Sequence, residues 1–554
     1  MKKITASSAL FLIFVFTMLF PQNIRNSKHN LSSIGPGEIT TADTSEICIF
    51  CHSPHFSAPE IPLWNREDSS VIYTLYNSST LYSTLDQPDG SSKLCLSCHD
   101  GTIAMGRILY PEEEFLMQNT IGGRLPATNT THLGSDLSDD HPISFDPTAS
   151  VAASLELMHP DPFDSIKYDA SGKIQCTSCH NPHDDLVSKF LIKSNQNAQI
   201  CKTCHHLSGF IQEAIHDTSP QIWNGMGQDP WPHTEFTSVN ENSCLNCHRS
   251  HSSSGGTWLL NAIEEENCLT CHNGNIGSDI NAELNKSSSH RIRFYQGHEP
   301  DENILSAPVH VECTDCHNPH QANANQAEAP FVQGPLTGVS GMTITGSLTD
   351  STQYEYEVCL KCHGQNKYIV TTPLNRMFDT SNIRLAFSPS NASYHAVAAT
   401  GTSNYVPSLL PPYNLSSQLY CTDCHNNDSS SGPRGPHGSS HEYLLELRYE
   451  TGDFTPFSID NYALCFKCHN PTTIMGQQTS GFKIHRRHID FDVACATCHD
   501  PHGSPNYIGL LNFDTNIVFP DQLGRLRFEI IGNKGYCYLN CHGVNHDPWF
   551  YVRR

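Results

Sequence analysis

The 554-residue chain is short of positive charge and of hydrophobic side chains. Lys and Arg total 32 against 56 Asp and Glu, which gives a formal net charge of -24. A surface of this sign repels phosphate backbones, so we expect no nucleic-acid partner and expect protein partners that present positive patches. Hydrophobic residues make up only 37% of the chain, so the polypeptide alone supplies little apolar surface for a large core.

Long apolar runs are absent after the first 20 residues. Lys2 and Lys3 precede a short apolar stretch at 9–20, which is typical of an export signal, and we predict a signal peptide over 1–25. A clear A-x-A cleavage site is missing, so an uncleaved anchor stays open as the alternative, although the stretch is shorter than the roughly 20 residues of a spanning helix. We therefore expect an exported protein of the periplasm or cell surface.

No cysteine lies outside one repeated motif. All 24 cysteines form twelve pairs, and a histidine closes every pair. Eleven pairs are C-x-x-C-H, and the twelfth, CYLNCH, has one extra residue. The motifs are Cys48/Cys51/His52, Cys95/Cys98/His99, Cys176/Cys179/His180, Cys201/Cys204/His205, Cys244/Cys247/His248, Cys268/Cys271/His272, Cys313/Cys316/His317, Cys359/Cys362/His363, Cys421/Cys424/His425, Cys465/Cys468/His469, Cys495/Cys498/His499 and Cys537/Cys541/His542.

This spacing has a chemical reason. Two cysteines two residues apart can form thioether bonds to the vinyl groups of one haem, and the next residue can then ligate the iron. Zinc ribbons and disulfides also use paired cysteines, but neither explains a histidine after every pair. We therefore predict twelve covalently attached haem c groups. At CYLNCH the longer loop must bulge, and the alternative of two free thiols there stays open.

With twelve haems on so polar a chain, the rings themselves are expected to form the core. The predicted fold class is a multihaem cytochrome c, mostly irregular, with short α-helices at the motifs, little β structure and a haem stack as core. Folding and haem attachment should be coupled.

The repeating unit is a pair of motifs, used six times. Odd-numbered motifs are often followed by a second histidine three residues on, with proline commonly between, and even-numbered motifs are not. In the fifth repeat this histidine is missing. Either His437 or His441 substitutes, with His437 favoured, or that haem lacks a second protein ligand and has an open site. The predicted divisions are the signal peptide 1–25 and haem pairs at 26–130, 131–215, 216–285, 286–375, 376–475 and 476–554.

Histidine supply predicts bis-histidine coordination. Twelve of 33 histidines belong to motifs, whereas the nine methionines occupy no repeated place, which disfavours methionine ligation. The predicted third-position ligands are His55, His183, His251, His320 and His502, with His437 in the fifth repeat. The predicted upstream ligands are His29, His141, His233, His290, His310, His395, and His485 or His488. The remaining histidines, His132, His159, His206, His216, His298, His441 and His546, are expected to be mostly solvated or to support the ligands.

A third-position histidine lies too close to its own motif to cross the ring that the motif holds. It should therefore ligate a neighbouring haem. For His320 the expected iron is that of the haem at Cys359 and Cys362, or of another close neighbour.

Segments along nearly the whole mature chain carry a family resemblance: KHNLSSIGPG, CIFCHSPH, PLWNR, LGSDLSDDHPISF, CTSCHNPHDD, WPHTEF, CLTCHNGN, CTDCHNND with GPRGPHGS, and CYLNCHG. The chain resembles multihaem c-type cytochromes with doubled C-x-x-C-H motifs, in particular dodecahaem members from metal-respiring and related anaerobic bacteria. The resemblance implies electron transfer in the periplasm or at the cell surface, sometimes within an outer-membrane porin-cytochrome conduit.

The leading functional hypothesis is an exported electron-transfer protein, without catalytic residues, in which electrons hop along closely packed haems in anaerobic respiration or extracellular electron transfer. The first alternative is a multihaem oxidoreductase acting on a small inorganic substrate. Such enzymes need an open iron position or an unusual ligand, and the chain contains no C-x-x-C-K motif. The second alternative is a homo-oligomer, the protomer of a cytochrome filament, in which His29 ligates a haem across the interface.

Overall fold

The computed structural model describes residues 23–55, 63–292, 310–365, 374–379, 381–476 and 482–552. The predicted signal peptide therefore lies almost entirely outside the described residues. Helix accounts for 22% of the structure and strand for 15%, and the rest is irregular. The predicted fold class, mostly irregular with short helices, is confirmed. Along the described ranges, no helix has the length and apolarity needed to cross a membrane.

The α-helices are short and many of them carry an attachment motif. They are α1 Gly90–His99, α2 Thr148–Ala153, α3 Cys176–Cys179, α4 Ile215–Thr218, α5 Val239–Asn242, α6 Glu264–Leu269, α7 Ile280–Leu284, α8 Cys313–Cys316, α9 Glu355–His363, α10 Ile383–Ala386, α11 Ala463–Phe466, α12 Pro471–Met475, α13 His485–Ile489 and α14 Cys495–Cys498. Motif cysteines also lie in the 3-10 turns Cys48–Phe50, Cys201–Thr203, Ser243–Asn246 and Cys421–Asp423.

The strands are mostly two residues long and pair as small ladders. They are β1 Thr74–Leu75, β2 Arg107–Ile108, β3 Glu113–Glu114, β4 Asp136–Leu137, β5 Ser288–Ser289, β6 Gly341–Met342, β7 Leu348–Thr349, β8 Ser393–Tyr394, β9 Gly438–Ser439, β10 Gly503–Ser504, β11 Val518–Phe519, β12 Arg527–Ile531, β13 Lys534–Cys541 and β14 Val544–Val552. The pairs are β1 with β4, β2 with β3, β5 with β9, β6 with β7 and β8 with β10.

All eleven C-x-x-C-H motifs form a helical turn. The motifs at His99 and His363 end the longer helices α1 and α9. In the other nine, the histidine N–H donates to the carbonyl of the first cysteine at 2.8–3.0 Å. One turn of helix places the two cysteines on the same side of the backbone, as attachment to one haem edge requires.

The helix at Cys98 is longer than those at most other motifs. Cys98 lies in the last turn of the ten-residue helix α1. Its side chain is half-buried, and its carbonyl accepts a hydrogen bond from Gly101 N at 3.2 Å just past the helix end. The second motif is therefore held by a regular helix on its N-terminal side. Haem attachment at Cys98 stays a prediction.

The C-terminal sheet is the exception to the sparse β structure. Strand β13 pairs with β11, β12 and β14, all antiparallel. Two-residue turns join the long strands, and glycine with positive φ occupies each turn at Gly532 (φ 61°) and Gly543 (φ 74°), as tight hairpins require. The twelfth motif lies in β13 and in the turn after it.

The chain separates into two compact units, Met1–His206 with Ser250–Ser252, and Leu207–Arg249 with Ser253–Arg554. Each unit has its own apolar clusters, and these lie beside motif cysteines. In the first unit, Phe50, Ile108 and Met117 pack near Cys51. In the second, Val518, Phe528 and Leu539 pack near Cys498. The division into six haem pairs stays a prediction.

A buried arginine organises the first repeat. Arg66, in the PLWNR segment, is 1% exposed. Its guanidinium donates to the carbonyls of Met105 at 2.6 Å, Ala104 at 2.9 Å and Ser97 at 3.3 Å. One side chain therefore holds the loop after the second motif against the helix that carries it.

Arg66→Met should lower the free energy of unfolding by at least about 3 kcal/mol, because several buried carbonyls lose their donor. The matched control is Arg107→Met. Arg107 is half-exposed and pairs with Glu67 at the surface, so its loss should cost less than about 1 kcal/mol. Chemical denaturation of the two purified variants measures the difference, and equal effects would contradict the role assigned to Arg66.

Candidate haem-ligating histidines

Ten motif histidines face a second histidine ring. The ring centroids in these pairs are 6.0–6.4 Å apart. The pairs, motif histidine first, are His52 with His183, His99 with His29, His180 with His251, His205 with His141, His248 with His320, His272 with His216, His317 with His437, His425 with His502, His469 with His395 and His499 with His485.

This separation fits one metal ion between two imidazoles. A metal–imidazole bond is about 2.0–2.1 Å long, so two rings on opposite sides of one ion have nitrogens about 4 Å apart and centres about 6 Å apart. Rings in direct stacking contact are closer, as His29 and Phe190 show at 4.2 Å. The histidine pairs therefore fit axial ligation of a haem iron.

Odd-numbered motifs take their second ring from the next repeat. The third-position histidine of each repeat faces the first motif of the repeat before it, as His183 faces His52 and His502 faces His425. His320 therefore faces His248 and not the haem site at Cys359 and Cys362, so its direction along the chain is opposite to the one expected.

The fifth repeat follows the same rule without a third-position histidine. His437 faces His317, with ring centroids 6.0 Å apart and planes 13° from parallel. The Gly-Pro loop thus brings His437, and not His441, to the place that the third-position histidine takes in other repeats.

Even-numbered motifs take their second ring from upstream in their own repeat. His29 faces His99 and His395 faces His469. At the eighth motif, burial lowers the pKa of His363 to about 4, and His290 is the nearby imidazole that lowers it most. His290 and His363 line the same cavity, so His290 is the candidate for the corresponding place.

The third repeat departs from the predicted upstream ligand. The Nε2–H of His233 donates to the Leu245 carbonyl at 3.0 Å. His216, expected to be surplus, faces His272 instead. WPHTEF places His233 nearer than His216 to the following motif at Cys244, so spacing alone favoured His233.

The ends of the array differ from its middle. His55 is exposed and, within the described ranges, faces no other histidine ring. At the other end, His485 faces His499 of its own repeat, while His488 donates from Nδ1 to the Ile484 carbonyl at 3.0 Å. His29, the expected interface ligand, serves its own repeat.

Backbone carbonyls orient the paired rings. The Nδ1–H groups of His180, His248 and His425 donate to the carbonyls of Lys189, Trp258 and Tyr443 at 2.8–2.9 Å. A hydrogen bond at Nδ1 fixes the tautomer and leaves Nε2 free to ligate a metal. The sequence contains no obvious sign of these acceptors.

The acceptor carbonyls lie in left-handed turns that recur after odd motifs. Lys189, Trp258 and Tyr443 have φ of 61–66°, and the residue after each is also left-handed. This conformation is unfavourable for residues other than glycine. The leucine-rich segments after these motifs, such as KFLIKSN and WLLNAIEEE, thus contain turns whose leucine pairs with the motif histidine, as Leu191 does with His180.

Proline carbonyls orient most of the upstream ligands. Nδ1–H donates to Pro182 at 3.2 Å from His29 and to Pro319 at 3.0 Å from His216. These prolines are the ones in CHNPH, between the proximal and third-position histidines. One short motif thus places a ligand for one iron and orients a ligand for another.

Burial disfavours the charged form of several of the paired histidines. Burial lowers the pKa of His272, His320 and His469 to about 4, and nearby imidazoles lower it further. Neutral imidazole is the form that ligates metals. In the second unit, rings of four successive motifs, His363 to His499, line a mostly apolar cavity of about 2080 Å³, which suits large apolar cofactors.

Within a repeat, the second cysteines of the two motifs are neighbours. Burial raises the pKa of one thiol in each pair, and the nearby thiol of the other motif raises it further. The thiols with this raised pKa are Cys51, Cys179, Cys247, Cys316 and Cys424. Their neighbours are, in the same order, Cys98, Cys204, Cys271, Cys362 and Cys468.

Between repeats, the first cysteines are neighbours instead. The thiols hydrogen-bond in three such pairs, which are Cys95 with Cys176, Cys268 with Cys313 and Cys359 with Cys421. Cys465 and Cys495 are neighbours in the same way. The helix α1 therefore contacts two motifs, with Cys98 directed to the motif before it and Cys95 to the motif after it.

These cysteine contacts form a continuous series inside each unit. They join motifs one to four in the first unit and motifs five to twelve in the second, where Cys498 of the eleventh motif lies near Cys541 and Cys537 of the twelfth. In haem-loaded protein the same sulfur atoms are thioether sulfurs on the porphyrin edges. The motifs are thus placed edge to edge in order along the chain.

A family model for the doubled CXXCH motif matches residues 170–207 and 237–277, which hold motifs three to six. These matches indicate a multihaem c-type cytochrome. No curated protein matches it significantly. Covalently bound haem c is the cofactor that the CXXCH motifs of this cytochrome indicate.

His320→Ala should leave every haem attached and convert one low-spin iron, held by His248, to high spin, because only the distant ligand is removed. The control is His233→Ala, which removes a histidine of the same region whose Nε2 is engaged with the Leu245 carbonyl. Visible and electron paramagnetic resonance (EPR) spectra of the oxidised proteins measure the change. A high-spin signal in His233→Ala alone would contradict the ligand pairs.

Proposed function

We propose that the protein is an exported electron-transfer cytochrome that carries haem c at its helical motifs and passes electrons along them in anaerobic respiration or extracellular electron transfer. The observation that carries the proposal is the second histidine ring that faces ten of the motif histidines, with ring centroids 6.0–6.4 Å apart, beside cysteine pairs held in helical turns. Haem supplies reversible one-electron chemistry when it is bound. The predicted count of twelve stays a prediction.

The residues of this chain do three things for such a function. The motif cysteines fix the order of the cofactors, and the paired histidines hold each ring from both sides. The left-handed turns and proline carbonyls keep the imidazoles in one orientation. Because cysteines of successive motifs are neighbours inside each unit, the fold would fix the distance between successive haems.

The same pairing argues against the alternative of a small-molecule reductase. Substrate needs an open iron position, and an imidazole lies opposite ten of the motif histidines. The fifth repeat, which lacks a third-position histidine, supplies His437 instead, and this ring faces His317. We assign no catalytic residue.

Export and partners follow from the sequence. The signal-like N-terminus and the net charge of -24 support a periplasmic or surface protein that docks with positively charged redox partners, among them an outer-membrane porin-cytochrome conduit. Complementary charge speeds encounter and weakens with salt. Exchange with such a partner should slow as ionic strength rises.

A redox titration tests the function. The oxidised protein should be entirely or almost entirely low-spin, and its haems should titrate over a broad range at mostly negative potentials, because histidine supplies both axial ligands. EPR should also resolve two low-spin classes, since the ligand planes are 8–39° apart at odd motifs up to the ninth and 42–86° apart at even ones. A substantial high-spin signal would favour the reductase instead.

One observation supports a second candidate function, the protomer of a cytochrome filament. Each of the other third-position histidines faces a motif histidine of the repeat before it, whereas His55 is exposed and, among the described residues, faces no histidine ring. An exposed His55 is thus placed to ligate an iron of a second copy. This transfers to His55 the interface role expected of His29.

Sedimentation and electron microscopy of His55→Ala test the filament. Wild-type protein should form assemblies that the variant lacks, while the control His206→Ala, at another exposed histidine, should still assemble. A wild-type protein that stays monomeric at all concentrations would exclude this role, and the electron-transfer function would be unaffected.

A further inference from the structure

The twelfth motif differs from the other eleven in its backbone. Cys537 and Cys541 both lie in the extended strand β13. A strand rises about 3.3 Å per residue, so four steps separate the two Cα atoms by roughly 12–13 Å, allowing for the irregularity between Cys537 and Leu539. In a helical turn, three steps rise only about 4.5 Å. The strand therefore does not bring the two thiols together as the other motifs do.

The histidine of this motif is also placed differently. Cys541 pairs with Val544, so His542 and Gly543 form a two-residue hairpin turn, and both have positive φ, 52° and 74°. This is the type I′ geometry that suits the twist of the flanking strands. His542 thus occupies a tight turn, where the other eleven motif histidines follow a helical turn.

The His542 imidazole already has partners on the side where an iron would lie. Its Nε2 bonds to the Asp453 carboxylate, and its ring stacks on Phe454 with centroids 4.6 Å apart. Among the described residues, no second histidine ring faces it in the way that His485 faces His499. The bound nitrogen is Nε2, the one that the other anchored rings leave free.

Asp453 joins this turn to the eleventh motif. Its Oδ1 accepts hydrogen bonds from Ala494 N at 2.8 Å and Thr497 Oγ1 at 3.1 Å, which caps helix α14. Its Oδ2 bonds to His542. One carboxylate therefore ties the start of the eleventh attachment helix to the C-terminal hairpin.

The strand covers the eleventh motif with its two cysteines. Cys537 and Cys541 pack with Cys498, Val518 and Leu539 in one apolar cluster. They fill space beside Cys498 as buried apolar side chains do. A terminal repeat that covers the last internal one is a general requirement of repeat arrays.

From this geometry we infer that the CYLNCH motif attaches no haem and is the end cap of the array, a hairpin latched by His542 to Asp453 over the eleventh attachment helix. The inference rests on the proposed function, because it assigns haem to the eleven helical motifs. It replaces the expected count of twelve by eleven, with two free thiols at Cys537 and Cys541.

Intact-mass measurement of the protein matured in a haem-attaching host tests the inference directly. The unfolded chain is alkylated with iodoacetamide before measurement. Eleven haem increments and two alkyl groups are expected. Twelve increments without alkylation, or a single alkyl group with a haem linked through the other thiol, would overturn the cap.

Two double variants separate the cap from the proposed function. Cys537→Ser with Cys541→Ser should keep eleven haems, whereas the matched control, Cys495→Ser with Cys498→Ser, should lose one. Loss of a haem in the first variant would overturn the cap alone. An unchanged count in the control would overturn the proposed function and the cap with it.

The latch has its own readout. His542→Ala should leave the haem count unchanged and speed hydrogen exchange in β13 and α14 about tenfold, because a hydrogen bond to a charged carboxylate is lost. His546→Ala is the control, since this histidine of the neighbouring strand β14 bonds to the nearby Val544 carbonyl at 3.1 Å and not to α14. Equal exchange in the two variants would show that His542 is not a latch.

Discussion

The structure depends on one constraint: two imidazoles must lie on opposite sides of a single ion, with their ring centres about 6 Å apart. Ten motif histidines meet it, at 6.0–6.4 Å. A polar chain with few long elements has little else to hold it together, so the loops are arranged to deliver histidines. The apolar clusters are small and lie beside the attachment cysteines.

Meeting the constraint has a cost in backbone strain. The turn at Trp258 and Leu259 is left-handed at both residues, which for side chains of this size costs roughly 1–2 kcal/mol per residue. The turn persists because its carbonyl orients His248 and its next residue, Leu260, pairs with the same histidine. Strain of this kind collects at functional sites, and here it recurs after the odd motifs.

Local chemistry was predictable from the sequence and long-range geometry was not. The cysteine spacing predicted the attachment turns, and the fold class followed from composition. The full helix around Cys98 did not follow, because it depends on Arg66, a distant residue that holds the Ser97 carbonyl. Ligand exchange between haems followed from the closeness of His320 to His317. Its direction did not, because spacing along a chain does not say which neighbour folds back.

The ligand exchange also constrains how such a chain can change in length. Each odd-numbered motif up to the ninth faces a histidine ring from the repeat that follows, so cutting the chain between repeats would leave the last remaining odd-numbered motif without its second ring. The final repeat alone is self-sufficient, because His485 and His499 belong to it together. Gene duplication can therefore insert new repeats ahead of the last one. A repeat added after it would need its own upstream histidine for its first motif, as His485 serves His499.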